Sequence, residues 1–338
     1  MIRWFFLAGQ LAALGTSAAQ DCEVCHRREA EAVTSAPMSH ALQHAGQSEL
    51  LKNNPDLSFR SGNFSYSIRR ENNRSIYSVT DGTGSISAPI EWAFGAGIVG
   101  QTYLYRRDDA WYEAAVSFYP DLKGLDWTPG HAERFRRNLE EATGRTIDPA
   151  ETRRCFGCHS TTAVWSGASD LKSLTPGVQC AQCHAGAAQH AAAVRRGDAA
   201  RTVMPKLAAM ETEELANLCG KCHPSWADIA ANGPRGVLNI RFQFYRLTNS
   251  RCYDSADRRI ACTACHDPHG SLAKDSSSYD SKCQQCHLAG NNARAKLCPV
   301  SKRDCIACHM PKVDVPGLHY RFTDHQIRIA RAGDKYPD

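Results

Sequence analysis

Cysteine and histidine residues recur in one fixed arrangement along this chain of 338 residues. The string Cys-x-x-Cys-His occurs seven times and uses 14 of the 16 cysteines. On a helical turn, positions i, i+3 and i+4 share one face, so each string presents two thiols and one imidazole together. The strings span Cys22–His26, Cys155–His159, Cys180–His184, Cys219–His223, Cys262–His266, Cys283–His287 and Cys305–His309.

This arrangement predicts covalent attachment of c-type haem. Two thiols must reach the two vinyl groups of one macrocycle while the adjacent imidazole binds the iron. A zinc knuckle, a redox dithiol or a disulfide framework does not require histidine at the fifth position. We therefore expect seven haem c groups. Their attachment thiols would be Cys22, Cys25, Cys155, Cys158, Cys180, Cys183, Cys219, Cys222, Cys262, Cys265, Cys283, Cys286, Cys305 and Cys308. Their proximal iron ligands would be His26, His159, His184, His223, His266, His287 and His309.

Seven further histidines lie outside the motifs, so their number equals the number of predicted haems. If each filled a sixth coordination site, every iron would be bis-histidine and closed to substrate. The alternative is that some are ordinary surface or core histidines. The seven are His40, His44, His131, His190, His269, His319 and His325.

His269 has a more specific expectation, because it follows His266 by only three residues. A fully extended chain of that length covers about 10 Å, too little to pass around the edge of the same porphyrin. We expect His269 to bind the iron of a neighbouring haem and so link two macrocycles. The alternative is a hydrogen bond to a propionate or to the backbone.

The first residues predict export from the cytoplasm. Residues 1–19 combine Arg3, an apolar stretch from Trp4 to Gly15 and small residues before a cleavage site near Ala19, as in a secretory signal peptide. The apolar stretch is too short to span a bilayer, and no later segment qualifies. We expect a mature chain without a transmembrane segment, most simply periplasmic, or else extracellular.

Cys252 and Cys298 stand outside the haem motifs. In an oxidising compartment a surviving pair of cysteines tends to form a disulfide, which we expect here. The alternative is two free thiols that pack as small apolar groups.

The formal charge of +5 does not indicate a nucleic-acid partner. Each haem adds two propionates, so seven haems make the loaded protein negative. No basic run interleaved with aromatic residues supports nucleic-acid binding either. We expect redox proteins as partners, with donor and acceptor not readable from the residues.

The interval between the first and second motifs has a different pattern. Residues 62–119 contain neither cysteine nor histidine and alternate apolar with polar positions, which predicts an antiparallel meander of five or six strands. "FGAGIVG" is interpreted as a turn between strands rather than a phosphate loop. "HAERFRRNLEEATG" and "METEELANLCGKCH" predict amphipathic helices, the first ending at Gly144.

These patterns predict an α+β fold, rich in helices and loops and packed around haem, with an inserted antiparallel β-meander. Six motifs fall after residue 154, which leaves too little chain per haem for an ordinary apolar core, so the macrocycles should supply much of it. We expect a signal peptide at 1–19, a single-haem segment at 20–61, a β unit without haem at 62–124 and a six-haem domain at 125–338.

The order of motifs resembles a family of secreted multihaem c-type cytochromes. The similar stretches include "WAFGAGIVGQTYLY", "TPGH", "GVQCAQCHAGAAQH", "CTACHDPHG" and "FTDHQIR". The family is related to the tetrahaem cytochrome partner of hydroxylamine oxidoreductase and, more distantly, to pentahaem nitrite reductase. The resemblance implies distal ligands at His190 and His269, and by analogy at His319 and His325. It bears less directly on His40, His44 and His131.

Function is expected to be electron transfer through closely packed haems. Pentahaem nitrite reductases of this kind bind substrate at a haem whose motif ends in lysine, whereas all seven motifs here end in histidine. One alternative is a reductase or oxidoreductase of small nitrogen or sulfur oxyanions, acting at one five-coordinate haem. A further alternative is a polymerising haem-wire subunit. The sequence favours an electron carrier over a catalytic oxidoreductase.

Overall fold

The computed structural model describes residues 22–161, 171, 174–198, 204–223, 229, 231, 236, 243–287, 298–331 and 333–334. The predicted signal peptide lies outside the described residues. Within the part of the chain that is described, we find no helix with the length and apolar character needed to cross a membrane. The architecture is a mixture of helices and antiparallel sheet, as the sequence predicts.

An antiparallel sheet of eight strands occupies residues 42–147. Its strands are β1 (Leu42–His44), β2 (Asp56–Ser61), β3 (Phe64–Glu71), β4 (Arg74–Thr80), β5 (Ser85–Phe94), β6 (Thr102–Arg107), β7 (Ala110–Ala114) and β10 (Gly144–Ile147). Strands β2 to β7 lie side by side in sequence order, β10 pairs with β7, and β1 pairs with the second half of β5. A separate hairpin joins β8 (Val116–Tyr119) to β9 (Gly124–Trp127).

The predicted meander is confirmed, since β3 to β8 all fall within residues 62–119. The sheet also includes strands on both sides of that interval, and the division into domains stays a prediction. Asp108 and Asp109 both have positive φ and form the two-residue turn between β6 and β7. "FGAGIVG" connects β5 to β6, as predicted.

One face of the sheet is buried, as the alternation of apolar residues requires. Tyr66 and Ile68 on β3, and Tyr77 and Val79 on β4, are nearly inaccessible and pack with the β8–β9 hairpin in one core. The Tyr77 and Tyr105 hydroxyls both donate to the Thr143 carbonyl, at 3.0 and 3.2 Å. These bonds hold the chain just before β10. Ile147 of β10 and Phe156 of the helix that follows pack against the sheet in a second cluster with Leu42, Trp92 and Leu104.

Gly144 opens β10 at a point where no side chain fits. Its φ is +140°, and a Cβ there would lie 1.9 Å from the carbonyl oxygen of Glu113. The close approach lets β10 pair with β7 from Gly144 onward.

The remaining described residues form short helices and two-stranded pairs. The helices are Arg27–Ser35, Glu49–Asn53, Leu139–Ala142, Pro149–His159, Cys180–Cys183, Ala187–Arg195, Thr212–Gly220, Gln243–Thr248, Cys262–Cys265, Asp280–His287 and Cys305–His309. The strand pairs are β11 (Ser160–Thr161) with β12 (Thr175–Pro176), and β13 (Lys312–Asp314) with β14 (Arg321–Thr323). Single turns of 3-10 helix occur at Pro37–His40, Ala45–Gln47, Leu207–Ala209 and Ser276–Tyr279.

The prediction of one of the two amphipathic helices is wrong for most of the segment. The structure is helical only over Leu139–Ala142 within "HAERFRRNLEEATG". Tertiary contacts compete with the helix, because His131 is buried beside Glu113 and the Arg136 guanidinium lies 3.8 Å from the centre of the Trp127 ring. The helix predicted in "METEELANLCGKCH" is confirmed over Thr212–Gly220, where Glu211 and Glu214 form a capping box.

Candidate haem sites

Each Cys-x-x-Cys-His string adopts a turn that brings its three side chains to one side. In four motifs the histidine N–H donates to the carbonyl of the first cysteine at 2.8–2.9 Å, as in a single helical turn; these histidines are His26, His184, His223 and His266. In the other three motifs all five residues lie within a helix: Cys155–His159, Cys283–His287 and Cys305–His309. The local backbone therefore fits covalent attachment of one haem per motif.

Two motif histidines have their imidazoles oriented by the backbone. The Nδ1 of His159 donates to the Ala41 carbonyl at 2.8 Å, and the Nδ1 of His309 donates to the Arg328 carbonyl at 2.9 Å. A carbonyl can only accept, so the hydrogen sits on Nδ1 and the lone pair of Nε2 is available to a metal. This is the tautomer that an axial iron ligand needs.

Two pairs of imidazoles have the separation of ligands on opposite sides of one metal. The ring centres of His184 and His269 are 6.1 Å apart with planes at 8°, and those of His266 and His325 are 6.1 Å apart with planes at 41°. Two metal–nitrogen bonds of about 2 Å and two ring radii of about 1.1 Å span about 6.2 Å. The distance between ring centres in each pair therefore matches that of two ligands of one iron.

Burial favours the neutral, metal-binding form of three of these imidazoles. Burial lowers the pKa of His325 to about 4, and burial also lowers the pKa of His184 and His266. The Nδ1 of His325 donates to the Thr323 carbonyl at 3.0 Å, and the Nδ1 of His269 lies 3.3 Å from the Asp267 carboxylate. In both cases Nε2 remains for the iron.

The other candidate distal histidines have different surroundings. Three of them use Nε2 in hydrogen bonds: His40 with the Thr34 carbonyl at 2.7 Å, His131 with Glu113 at 3.1 Å, and His319 with Asp126 at 2.7 Å. His44 stacks on the Trp92 ring with 4.0 Å between centres. His190 lies on the helix Ala187–Arg195.

Thiols of different motifs lie next to one another in the described part of the chain. Cys158 lies beside Cys222, Cys219 beside Cys262, and Cys283 beside Cys305. The neighbouring thiol and burial together raise the pKa of Cys219 and of Cys222. The motifs beginning at residues 155, 219, 262, 283 and 305 thus include three directly adjacent pairs.

The second motif is held by the sheet. Phe156, inside the string "CFGCH", is fully buried, and its ring lies 5.5 Å from that of Trp92 and 5.1 Å from that of Phe94. The Phe94 ring is in turn 5.2 Å from the His159 imidazole. Sequence reasoning missed this role of Phe156, although an aromatic residue between the two cysteines was a visible signal.

Arg246 and Asp324 were also missed. They form a buried ion pair immediately beside His325, with the Arg246 Nε 2.9 Å from the Asp324 Oδ1. The only sequence signal was an acidic residue next to the histidine in "FTDHQIR".

The predicted disulfide between Cys252 and Cys298 is wrong, because both are free thiols in the structure. Cys252 lies near Cys265, Cys283 and Cys286 of the haem motifs. Cys298 is at the surface, where the backbone N–H groups of Ser301 and Val300 lower the pKa of its thiol.

Comparison with known proteins supports the chemistry of the motifs. Residues 127–185 match a family model described as cytochrome c554 and c-prime. The matched segment includes the motifs Cys155–His159 and Cys180–His184 and covers a minor part of the chain. No curated protein and no solved structure matches the chain. The match supports a c-type cytochrome with covalently bound haem c and an electron-transfer role.

Proposed function

We propose that this chain is an exported c-type cytochrome with seven haems that passes electrons between redox partner proteins, most simply in the periplasm. The observation that carries the proposal is the pairing of motif imidazoles with distant imidazoles at 6.1 Å. An iron with two histidine ligands has no open position for substrate, which favours electron transfer. The haems supply the one-electron chemistry, and the protein sets their potentials through axial ligands, burial and hydrogen bonds.

Two axial assignments follow from the pairs. The haem on Cys180 and Cys183 would have His184 and His269 as ligands. The haem on Cys262 and Cys265 would have His266 and His325. His266 and His269 belong to one short segment but would bind different irons, so that segment would tie the two macrocycles together.

The number of haems is the first test. Seven motifs should give seven covalent haems when the protein is produced with a competent haem maturation system. Intact-protein mass spectrometry measures this number, and a Cys262→Ala/Cys265→Ala variant should lose the mass of one haem. A wild-type protein saturated with fewer than seven haems would contradict the proposal.

The buried position of His131 supports a second candidate function. It is 1% exposed, and its partner Glu113 also receives a 2.7 Å hydrogen bond from Arg145. We propose that His131 holds this part of the sheet unit and is not an iron ligand. At most six histidines then remain for seven sixth positions, so at least one haem would have another ligand or an open site. An open haem would suit the reduction or oxidation of a small nitrogen or sulfur oxyanion.

The spin state of the oxidised protein separates the two functions. For a carrier we expect the visible and electron paramagnetic resonance spectra to be those of low-spin ferric haem throughout. A high-spin component that shifts on addition of nitrite, hydroxylamine or sulfite would instead support the enzyme. The size of that component relative to the total haem gives the number of open sites.

A further inference from the structure

The segment that carries His325 is attached to the rest of the protein by a buried ion pair. The Arg246 guanidinium binds the Asp324 carboxylate through two bonds of 2.9 Å, one from Nε and one from Nη2. Arg246 is 1% exposed and Asp324 is 2% exposed. The same Nη2 donates to the Gln326 side-chain carbonyl at 2.9 Å. Arg246 therefore holds the residues on both sides of His325.

Further hydrogen bonds join this segment to the end of the helix Gln243–Thr248. The N–H of Ile327 donates to the Ser250 hydroxyl at 2.8 Å, and the Gln326 side chain donates to the Asn249 carbonyl at 3.3 Å. On the other side, the Asp324 N–H donates to the Pro311 carbonyl at 2.9 Å. The backbone around His325 is thus fixed from two directions.

We propose that Arg246 and Asp324 are positioning residues that hold the His325 imidazole opposite His266 as the distal ligand of the fifth haem. This inference rests on the proposed function, since it requires a haem on Cys262 and Cys265. Metal–nitrogen bonds tolerate errors of only about 0.2 Å, so the ligand needs a rigid support. A buried arginine–carboxylate pair with two bonds supplies one, because both the distance and the plane of the two groups are set.

Loss of the Arg246 or the Asp324 side chain should displace the His325 imidazole. Removing Asp324 leaves the buried Arg246 guanidinium without its carboxylate, and removing Arg246 leaves Asp324 with only the 3.7 Å contact to the Arg328 guanidinium. The protein relieves either loss by moving the segment toward water. His325 is adjacent to Asp324 and moves with it. The fifth haem would then lose its sixth ligand while its covalent attachment and its proximal His266 stay in place.

The test uses the haem-loaded variants Arg246→Gln and Asp324→Asn. We expect one haem of the seven to become high-spin in the oxidised protein and to bind carbon monoxide in the reduced protein. Added free imidazole should return it to the low-spin state, which it would not do for a collapsed haem pocket. The matched control is Arg137→Gln, because Arg137 and Glu141 form a bidentate pair at the exposed surface. It should leave the spectra unchanged.

The variant His325→Ala separates failure of this inference from failure of the proposed function. If His325→Ala produces no high-spin haem, the assignment of His325 as a ligand is wrong. If His325→Ala produces a high-spin haem but the Arg246 and Asp324 variants stay fully low-spin, the positioning role of Arg246 and Asp324 is wrong. Should the single variants not accumulate, the Arg246→Met/Asp324→Leu double variant removes both charges of the buried pair together. High-spin haem that imidazole reverses is expected there too, and a fully low-spin spectrum would overturn the inference.

Discussion

Replacing His269 by alanine should leave one haem, the one on Cys180 and Cys183, with a five-coordinate iron. The reason is that His269 stands opposite His184 at the separation of two axial ligands. We expect about one seventh of the ferric haem to become high-spin, and that haem to bind carbon monoxide when reduced. Loss of an imidazole that stabilises the ferric state should raise its potential by about 0.1 V, within the roughly 0.8 V that axial ligands span.

The control for this experiment is His131→Gln. Glutamine can keep a hydrogen bond to Glu113, and we place His131 outside the iron ligands. Spectra and potentials should match those of the unaltered protein. Equal amounts of high-spin haem in the two variants, or none in His269→Ala, would contradict the assignment.

Replacing Phe156 by alanine should cost about 3–5 kcal/mol of stability. Its ring belongs to the second haem motif and is fully buried against the sheet, with the Trp92 and Phe94 rings 5.5 and 5.1 Å away. Removal of the ring leaves a cavity at the point where the sheet supports this motif. The loss should appear as a lower denaturant midpoint, measured by far-ultraviolet circular dichroism of the haem-loaded protein.

The chain offers a matched control for that substitution. Phe135 is 83% exposed. Phe135→Ala therefore removes a phenyl ring that is mostly in solvent, and it should change stability by less than about 0.5 kcal/mol. A similar shift of the midpoint in both variants would show that Phe156 does not join the sheet to the motif.

Local chemistry made several features predictable from the residues. A Cys-x-x-Cys-His string contains all of its covalent chemistry within five residues, so haem attachment can be inferred without knowing the fold. The strands within residues 62–119 were predictable for a similar reason, because alternation and two-residue turns such as Asp108–Asp109 act over short distances.

Prediction failed where distant parts of the chain compete with local preference. The residues after His131 favour a helix, but burial of His131 beside Glu113 and packing of Arg136 on Trp127 replace most of it. The expected disulfide had a chemical rationale in the oxidising compartment. It failed because the compartment does not determine whether Cys252 and Cys298 come together.

By itself the sequence determined the kind of cofactor, the number of candidate attachment sites and the strand-rich character of the segment between the first two. Only the tertiary structure decided which imidazoles face each other. His184 meets His269, and His266 meets His325, across long stretches of chain. The support for His325 likewise comes from Arg246, 78 residues away from Asp324 in sequence. Such contacts depend on how the whole chain packs, because a side chain 59 or more residues away leaves no trace in local spacing.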